Sequence, residues 1–220
     1  MSNRKIKVWD GSTRLFHWVL VVVFCLSVFS AFQDKFGPYA DMHLNAGIAI
    51  IILVVWRIAW GIVGSETARF SQFVKKPTTV FQHLKHTFSK SPYKEVGHNP
   101  LGGLSVVLML MLLLAQAVMG LFASDGMIFS GPLAQDVAGS LSSDLTSWHK
   151  LLGRILIGVA VFHVIVVLLY ALFKRVNLIW PMIIGTIKTN DAGGDPVMKP
   201  AWQALILFFA AGAAVCMSIF

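Results

Sequence analysis

Residues 147–170, SWHKLLGRILIGVAVFHVIVVLLY, decide the fold. The run 155–173 contains no Asp, Glu, Lys or Arg, and about 20 apolar residues are enough for a helix to cross a bilayer. His163 nevertheless lies inside this run, where an ionisable side chain is costly unless it has a partner. His149 precedes it by 14 residues. Because that spacing is close to four helical turns, the two rings share one helix face about 21 Å apart.

The composition is that of an integral membrane protein. The chain has 220 residues, 56% hydrophobic and 13% charged, with a mean hydropathy of +0.73, which is too apolar for an ordinary soluble domain. A bilayer offers no water to backbone polar groups, so the apolar runs are expected to be helices. The prediction is an all-α integral membrane fold, a four-helix transmembrane bundle plus a fifth C-terminal transmembrane helix. The five runs cover residues 15–32, 43–63, 101–123, 149–173 and 201–220.

The same pattern predicts the domain organisation. Residues 1–190 form a membrane domain with a loop at 64–98, and residues 191–220 form a polar linker followed by the extra helix. The fourth helix is expected to open at His149 and the second at His43.

The net charge of +8 is concentrated in segments that flank the apolar runs. Lys and Arg cluster near the N-terminus, in the 64–98 loop and after the fourth run, whereas the loop before the fourth run carries Asp125, Asp136 and Asp144. The positive-inside rule therefore predicts a multi-pass membrane protein with a cytoplasmic N-terminus; the family resemblance given below implies a bacterial inner membrane. Topology and membrane lipid account for the charge, and no nucleic-acid partner is predicted.

Four histidines fall at two depths of this bundle. His17 and His163 lie toward the cytoplasmic side, and His43 and His149 lie toward the outer side. Each pair comes from two helices, which a bis-histidine haem requires, because its two imidazoles approach opposite faces of one iron. The spacing therefore predicts two stacked b haems with iron ligands His17/His163 and His43/His149, close enough for electrons to cross between them.

Small and basic residues flank these ligands. Gly47 and Gly153 each follow a predicted ligand by four residues, where a flat porphyrin needs room, although helix packing in membranes explains such glycines equally well. Basic residues at the two depths suit haem propionates, with snorkelling to the membrane surface as the alternative. The candidates are Arg14, Arg57, Lys150 and Arg154. Arg57 is best placed, since it follows His43 by 14 residues.

Other metal sites fit less well. A zinc or di-iron site needs four ligands at one depth, often with carboxylates, and the first four apolar runs contain no internal Asp or Glu. His83 and His86 in HLKH have metal-compatible spacing without further ligands, so a headgroup-facing helix is preferred. His98 precedes Pro100, a residue suited to the first turn of a helix. His98 therefore either caps that helix or lines a quinone pocket.

Several stretches resemble a known family. RLFHW at 14–18, a histidine opening the second run and SWHKLLGRILIGVAVFH at 147–163 resemble the prokaryotic cytochrome b561 family. VWRIAWGIVGSETARF at 55–70 and HNPLGG at 98–103 are similar to its hydrogenase-type di-haem cytochrome b branch. The resemblance covers about residues 6–190. It implies a four-helix membrane cytochrome with two b haems held as described above.

The resemblance also implies a function. Family members pass electrons between the membrane quinone pool and a partner, often a periplasmic enzyme such as a hydrogenase or a c-type cytochrome. Whether this chain is an electron-transfer cytochrome or an oxidoreductase subunit stays open. A self-contained superoxide:quinone oxidoreductase and a histidine-containing transporter are the alternatives. The small-residue patch AAGAAV at 210–215 suits packing on a partner helix or a second copy, which allows a homo-oligomer.

Overall fold

The computed structural model describes residues 4–34, 37–87, 97–189 and 194–220. Within them, five helices are long and apolar enough to cross a membrane, which confirms the predicted helical membrane bundle. The elements in chain order are β1 (Arg4–Lys7), α1 (Gly11–Ala31), α2 (Pro38–Val63), α3 (Phe70–Phe73), α4 (Pro77–Thr87), α5 (Pro100–Leu121), α6 (Gly139–Phe173), α7 (Ile179–Ile184), β2 (Thr186–Thr189) and α8 (Ala201–Ile219), with 3-10 turns at Glu66–Ala68 and Ala134–Asp136. The spans are α1, α2, α5, α6 and α8.

Proline and asparagine set the helix starts. Proline fixes φ and lacks a donor that the first turn would leave unused, and it is the first residue of α2, α4 and α5. Asn99 caps α5, because its Oδ1 accepts the Gly102 N–H at 2.6 Å. The expectation that His98 caps this helix is therefore wrong by one residue.

Helix α6 begins at Gly139, ten residues before the predicted start at His149, and runs for 35 residues. Side chains of its first turns bond to segment 122–124: the Ser142 hydroxyl donates to a carbonyl at 2.7 Å, and the Thr146 hydroxyl accepts an N–H at 2.9 Å. These contacts hold a polar stretch in helical form that hydropathy alone assigns to a loop. His149 consequently lies about 15 Å along α6 rather than at its end.

A small antiparallel sheet accompanies the helices. Strand β1 pairs with β2, with Arg4 opposite Thr189 and Lys7 opposite Thr186. Ile6 is buried in a small apolar cluster beside this sheet. The all-α prediction missed it, because four-residue strands at opposite ends of the chain carry no local signal.

The chain divides into two compact units. The first takes its described residues from 1–15, 57–108 and 162–205, and the second from 16–56, 109–161 and 206–220. The first unit gathers the starts of α1, α5 and α8 and the ends of α2 and α6. Helices that cross a bilayer alternately up and down place these ends on one side.

The fifth span packs within both units. In the second unit, Ala211 and Val215 are buried, and a Cβ at Gly212 would lie 4.0 Å from Ile52 of α2. Part of the small-residue patch therefore contacts this chain's own α2 rather than being free for a second copy. In the first unit, the segment before α8 is bonded to the turn after α2: the Val197 N–H donates to Glu66 at 2.8 Å.

A buried carboxylate joins α1 to α2 inside the first unit. Asp10, only 7% exposed, caps α1 by accepting the Thr13 N–H at 2.7 Å and the Thr13 hydroxyl at 2.9 Å. It also accepts the Trp60 indole N–H at 3.3 Å. The charge is thus surrounded by donors, which a buried carboxylate requires.

We expect Asp10→Ala to destabilise the protein by about 2–4 kcal/mol, from the lost cap of α1 and the lost hydrogen bond to the Trp60 indole. Thermal unfolding of the purified protein in detergent should shift down by several degrees. Asp136→Ala removes an exposed carboxylate and should leave the transition unchanged. An unshifted transition in Asp10→Ala would contradict the bonding described here.

Candidate functional site

Two histidines face each other in the second unit. His43 of α2 and His149 of α6 are half-buried, with ring centroids 6.0 Å apart and ring planes at 89°. Two imidazoles from separate helices therefore meet in the apolar part of the bundle, as the spacing predicted for this pair.

Helix α1 orients His43. The Nδ1 of His43 lies 2.9 Å from the backbone oxygen of Ser27. Since a carbonyl oxygen can only accept, Nδ1 carries the proton and donates it. The Ser30 hydroxyl lies 3.3 Å from the same nitrogen and donates to Ser27 O at 2.9 Å. His43 is therefore held as the Nδ1–H tautomer, with its lone pair on Nε2.

Helix α5 orients His149 in the same way. The Nδ1–H of His149 donates to the backbone oxygen of Gln116 at 2.9 Å. The Gln116 side-chain amide lies 3.3 Å from Nε2, where it can donate weakly to the lone pair. Gly120 gives the ring its room, since a Cβ there would lie 2.9 Å from His149 Cε1. His149 thus also presents a neutral Nε2.

This arrangement fits a metal held between two imidazoles. Metal-binding histidines commonly donate the other ring N–H to a backbone carbonyl or carboxylate, as both rings do here. With a metal–nitrogen bond of about 2 Å and roughly 1 Å from nitrogen to ring centre, two opposed imidazoles would have centroids about 6 Å apart. No described atom lies within 4 Å of the Cβ position at Gly47, one turn from His43. The residues present therefore fit a flat metal-containing group, which His43 and His149 would hold.

The other predicted residues of the second unit are placed less specifically. A Cβ at Gly153 would lie 3.1 Å from Gln116 Nε2, so this glycine makes room for the Gln116 side chain. Lys150 and Arg154 are exposed on α6. Neither has a hydrogen bond or ion pair that ties it to His149.

Arg57 is the buried cation of the first unit. Its side chain is 2% exposed, donates from Nη2 to Ala68 O at 3.1 Å and lies over the Phe70 ring at 5.3 Å. Its Nη1 is buried and has no hydrogen-bond partner among the described residues. Because a buried guanidinium normally has all its donors satisfied, an anionic group is the expected partner of Nη1.

The remaining predicted residues lie apart. His17 is half-buried on α1 with its ring edge against Trp18 at 5.0 Å, and His163 is half-buried on α6. They belong to different units, so their pairing stays a prediction. Arg14 donates from Nη1 to Ile183 O and lines a small cavity in the first unit.

His98 lines a second cavity in the first unit. Its ring packs between Trp9 and Phe73, each 4.6 Å away, and its Nδ1 is buried without a partner in the part of the chain that is described. Burial, followed by the charge of Arg57, lowers the pKa of His98 to about 3, so the ring is neutral at physiological pH. The cavity measures about 410 Å³, and Gln72 also lines it.

Sequence reasoning missed the groups that orient the two rings, namely Ser27, Gln116 and Gly120. Gln116 was detectable, because a polar residue inside an apolar run needs a partner. The Ser27 contribution is a backbone oxygen, which any residue supplies, so no sequence signal marks it.

Comparison with known proteins identifies the family. No curated protein matches the chain. The family model described as prokaryotic cytochrome b561 matches residues 8–185. Because that match covers most of the chain, the chain belongs to the prokaryotic cytochrome b561 family and is a multi-pass membrane cytochrome that binds haem b and transfers electrons across the membrane.

Proposed function

We propose that this chain carries electrons through two stacked b haems between the membrane quinone pool and a periplasmic redox partner. His43 and His149 would hold the outer haem, and His17 and His163 the inner one. The partner would be a c-type cytochrome or a hydrogenase-like enzyme, as in the hydrogenase-type branch. Family membership favours electron transfer over the transporter alternative.

One observation carries the proposal: two imidazoles at 6.0 Å whose Nδ1–H groups both donate to helix carbonyls. Haem bound there would supply one-electron redox chemistry. The carbonyls orient each ring so that Nε2 would be the ligand atom, and the hydrogen bond at Nδ1 makes Nε2 a stronger donor to a metal.

Arg57 supports the inner half of the proposal. Its buried Nη1 lacks a hydrogen-bond partner among the described residues, and a haem propionate is a carboxylate that would complete its bonding. Asp10 offsets part of this charge from the same unit. A buried guanidinium with one unsatisfied donor is unfavourable by itself, and an acidic ligand group would supply the missing partner.

The outer partner would meet a shaped loop between α5 and α6. Asp125 accepts three backbone N–H groups, those of Met127, Ile128 and Phe129, at 2.9–3.1 Å, so its carboxylate shapes the loop. Asp136 and Asp144 are exposed and can steer a basic partner. Met127 is 90% exposed at the turn that Asp125 holds, which offers an apolar contact for docking.

The first prediction of this proposal concerns haem content. The purified protein should contain two non-covalent b haems per chain, low-spin in both redox states, by pyridine haemochrome analysis. His43→Ala and His149→Ala should each lose one haem, and the double variant should lose no more, because both ligate the same iron. His163→Ala should remove the other haem. If His43→Ala and His17→Ala changed the same spectrum, the pairing would be wrong.

The second prediction concerns orientation. In a variant whose exposed thiols Cys25 and Cys216 are replaced by serine, Ser140→Cys in the first turn of α6 should react with an impermeant maleimide in intact cells. Gln82→Cys on α4 should react only after permeabilisation. Both positions are exposed, so accessibility reports the side of the membrane. The opposite labelling would reverse the orientation.

The quinone site is proposed for the cavity beside His98. About 410 Å³ lies within the usual range for a small-molecule pocket, and the cavity belongs to the unit that also contains His163. Phe73 supplies an aromatic face, and the neutral His98 and Gln72 supply polar groups suited to quinone oxygens. The unpartnered Nδ1 of His98 is a hydrogen-bonding group that a quinone carbonyl or hydroxyl would satisfy.

The third prediction tests this site. His98→Leu should slow haem-to-quinone electron transfer at least tenfold in stopped-flow assays and leave both haem spectra unchanged, because the ring is not an iron ligand. His98→Gln, which keeps a polar group, should retain more of the rate. Rapid quinone reduction by His98→Leu would place the quinone elsewhere.

A further inference from the structure

The small cavity that Arg14 lines in the first unit has three basic residues in its wall. It measures about 140 Å³, and its lining includes Lys7, Arg14 and Lys199. These residues come from β1, from the first turn of α1 and from the segment just before α8. Three separate chain segments therefore each place a cation in the wall of this cavity.

The backbone around this cavity is fixed. The Val8 N–H donates to Gly185 O at 2.8 Å, and the Lys199 N–H donates to the Ser65 hydroxyl at 3.0 Å. Gly185 has φ +84°, and a Cβ there would lie 2.9 Å from Trp9 O and 3.1 Å from Arg14 Nε. A larger residue at position 185 would therefore disturb the wall that Arg14 forms.

Among the residues that line the cavity, the basic ones outnumber the acidic ones by three to one. Asp10 also lines the cavity, but its carboxylate already accepts bonds from Thr13 and Trp60. The Nε of Arg14 is buried and, within the described ranges, has no hydrogen-bond partner. Three cations, one of which has an unused guanidinium donor, thus line the cavity with a single carboxylate, so that the lining has a net positive charge that suits an anion.

The position of the cavity indicates the kind of anion. Spans α1 and α8 begin at Gly11 and Ala201, and the cavity is lined by residues just before or inside both starts. Span starts lie at the level of lipid headgroups. Trp9, Ile184 and Met198 add apolar walls, which suit the glycerol and first methylenes of a lipid. With a water occupying about 30 Å³, the cavity has room for one phosphate group.

We propose that this cavity binds the phosphate of an anionic phospholipid and so holds the starts of α1 and α8 together at the membrane surface. Lys7, Arg14 and Lys199 are the binding residues, and Arg14 acts here on a lipid rather than on a haem propionate. The proposal does not depend on the haem pairing or on the quinone site.

The test compares two double variants that lose the same charge. Lys7→Gln with Lys199→Gln removes two cations of the cavity. Lys5→Gln with Lys188→Gln removes two exposed cations that face each other across the β1–β2 sheet and do not line the cavity. Native mass spectrometry of the delipidated, haem-loaded protein measures retention of added phosphatidylglycerol, with phosphatidylcholine and inorganic phosphate as comparison ligands.

The wild-type protein should retain phosphatidylglycerol in preference to phosphatidylcholine. The cavity variant should bind it about 25-fold more weakly, at roughly fivefold for each lysine, while the sheet variant should match the wild type. Both should keep wild-type haem absorbance, which shows that they fold. If both variants bound phosphatidylglycerol equally weakly, the loss would reflect the total charge of the protein rather than the cavity, and the proposal would be overturned. Binding of inorganic phosphate as tight as that of the lipid, or a changed haem spectrum in the cavity variant, would also overturn it.

Discussion

The geometry of the histidine pair depends on two hydrogen bonds, from the His43 and His149 rings to the carbonyls of Ser27 and Gln116. A carbonyl has two lone pairs, so a helix residue can keep its own helical bond and accept a second donor. Each ring is thus fixed by the backbone of a neighbouring helix rather than by a flexible side chain. Leaving either N–H unpaired in this apolar setting would cost about 1–3 kcal/mol.

Polar groups in the first unit follow a different rule. Asp10 and Arg57 carry full charges in buried positions, so each needs several partners rather than one. Asp10 has them within the chain. Arg57 lacks a partner for its Nη1 among the described residues. An acidic ligand is therefore expected at Arg57. The imidazoles of the second unit are thus oriented by one carbonyl each, whereas the charged groups of the first unit need several partners.

Much of this architecture was predictable because hydropathy and proline act locally. The positions of the spans follow from the apolar runs, and the start of α5 follows from Pro100. The facing of His43 and His149 follows from the spacing of the histidines. The early start of α6 was not predictable, since it depends on Ser142 and Thr146 bonding to a loop about 20 residues away. The β1–β2 sheet was not predictable either, because it also depends on contacts between distant segments. Contacts between distant segments leave no periodic trace in either partner.

The fifth span shows how such distant contacts extend the family fold. The family match ends at residue 185, yet the following segment is bonded to matched residues: Val197 to Glu66 and Lys199 to Ser65. Its helix then places Gly212 against Ile52 of α2, the helix that carries His43. A small residue lets the backbones of α8 and α2 approach closely. Close packing matters in a membrane because the hydrophobic effect does not drive helices together in lipid. The C-terminal helix therefore packs beside the helix that carries His43, and its buried face, with Ala211 and Val215, contacts this chain's own residues.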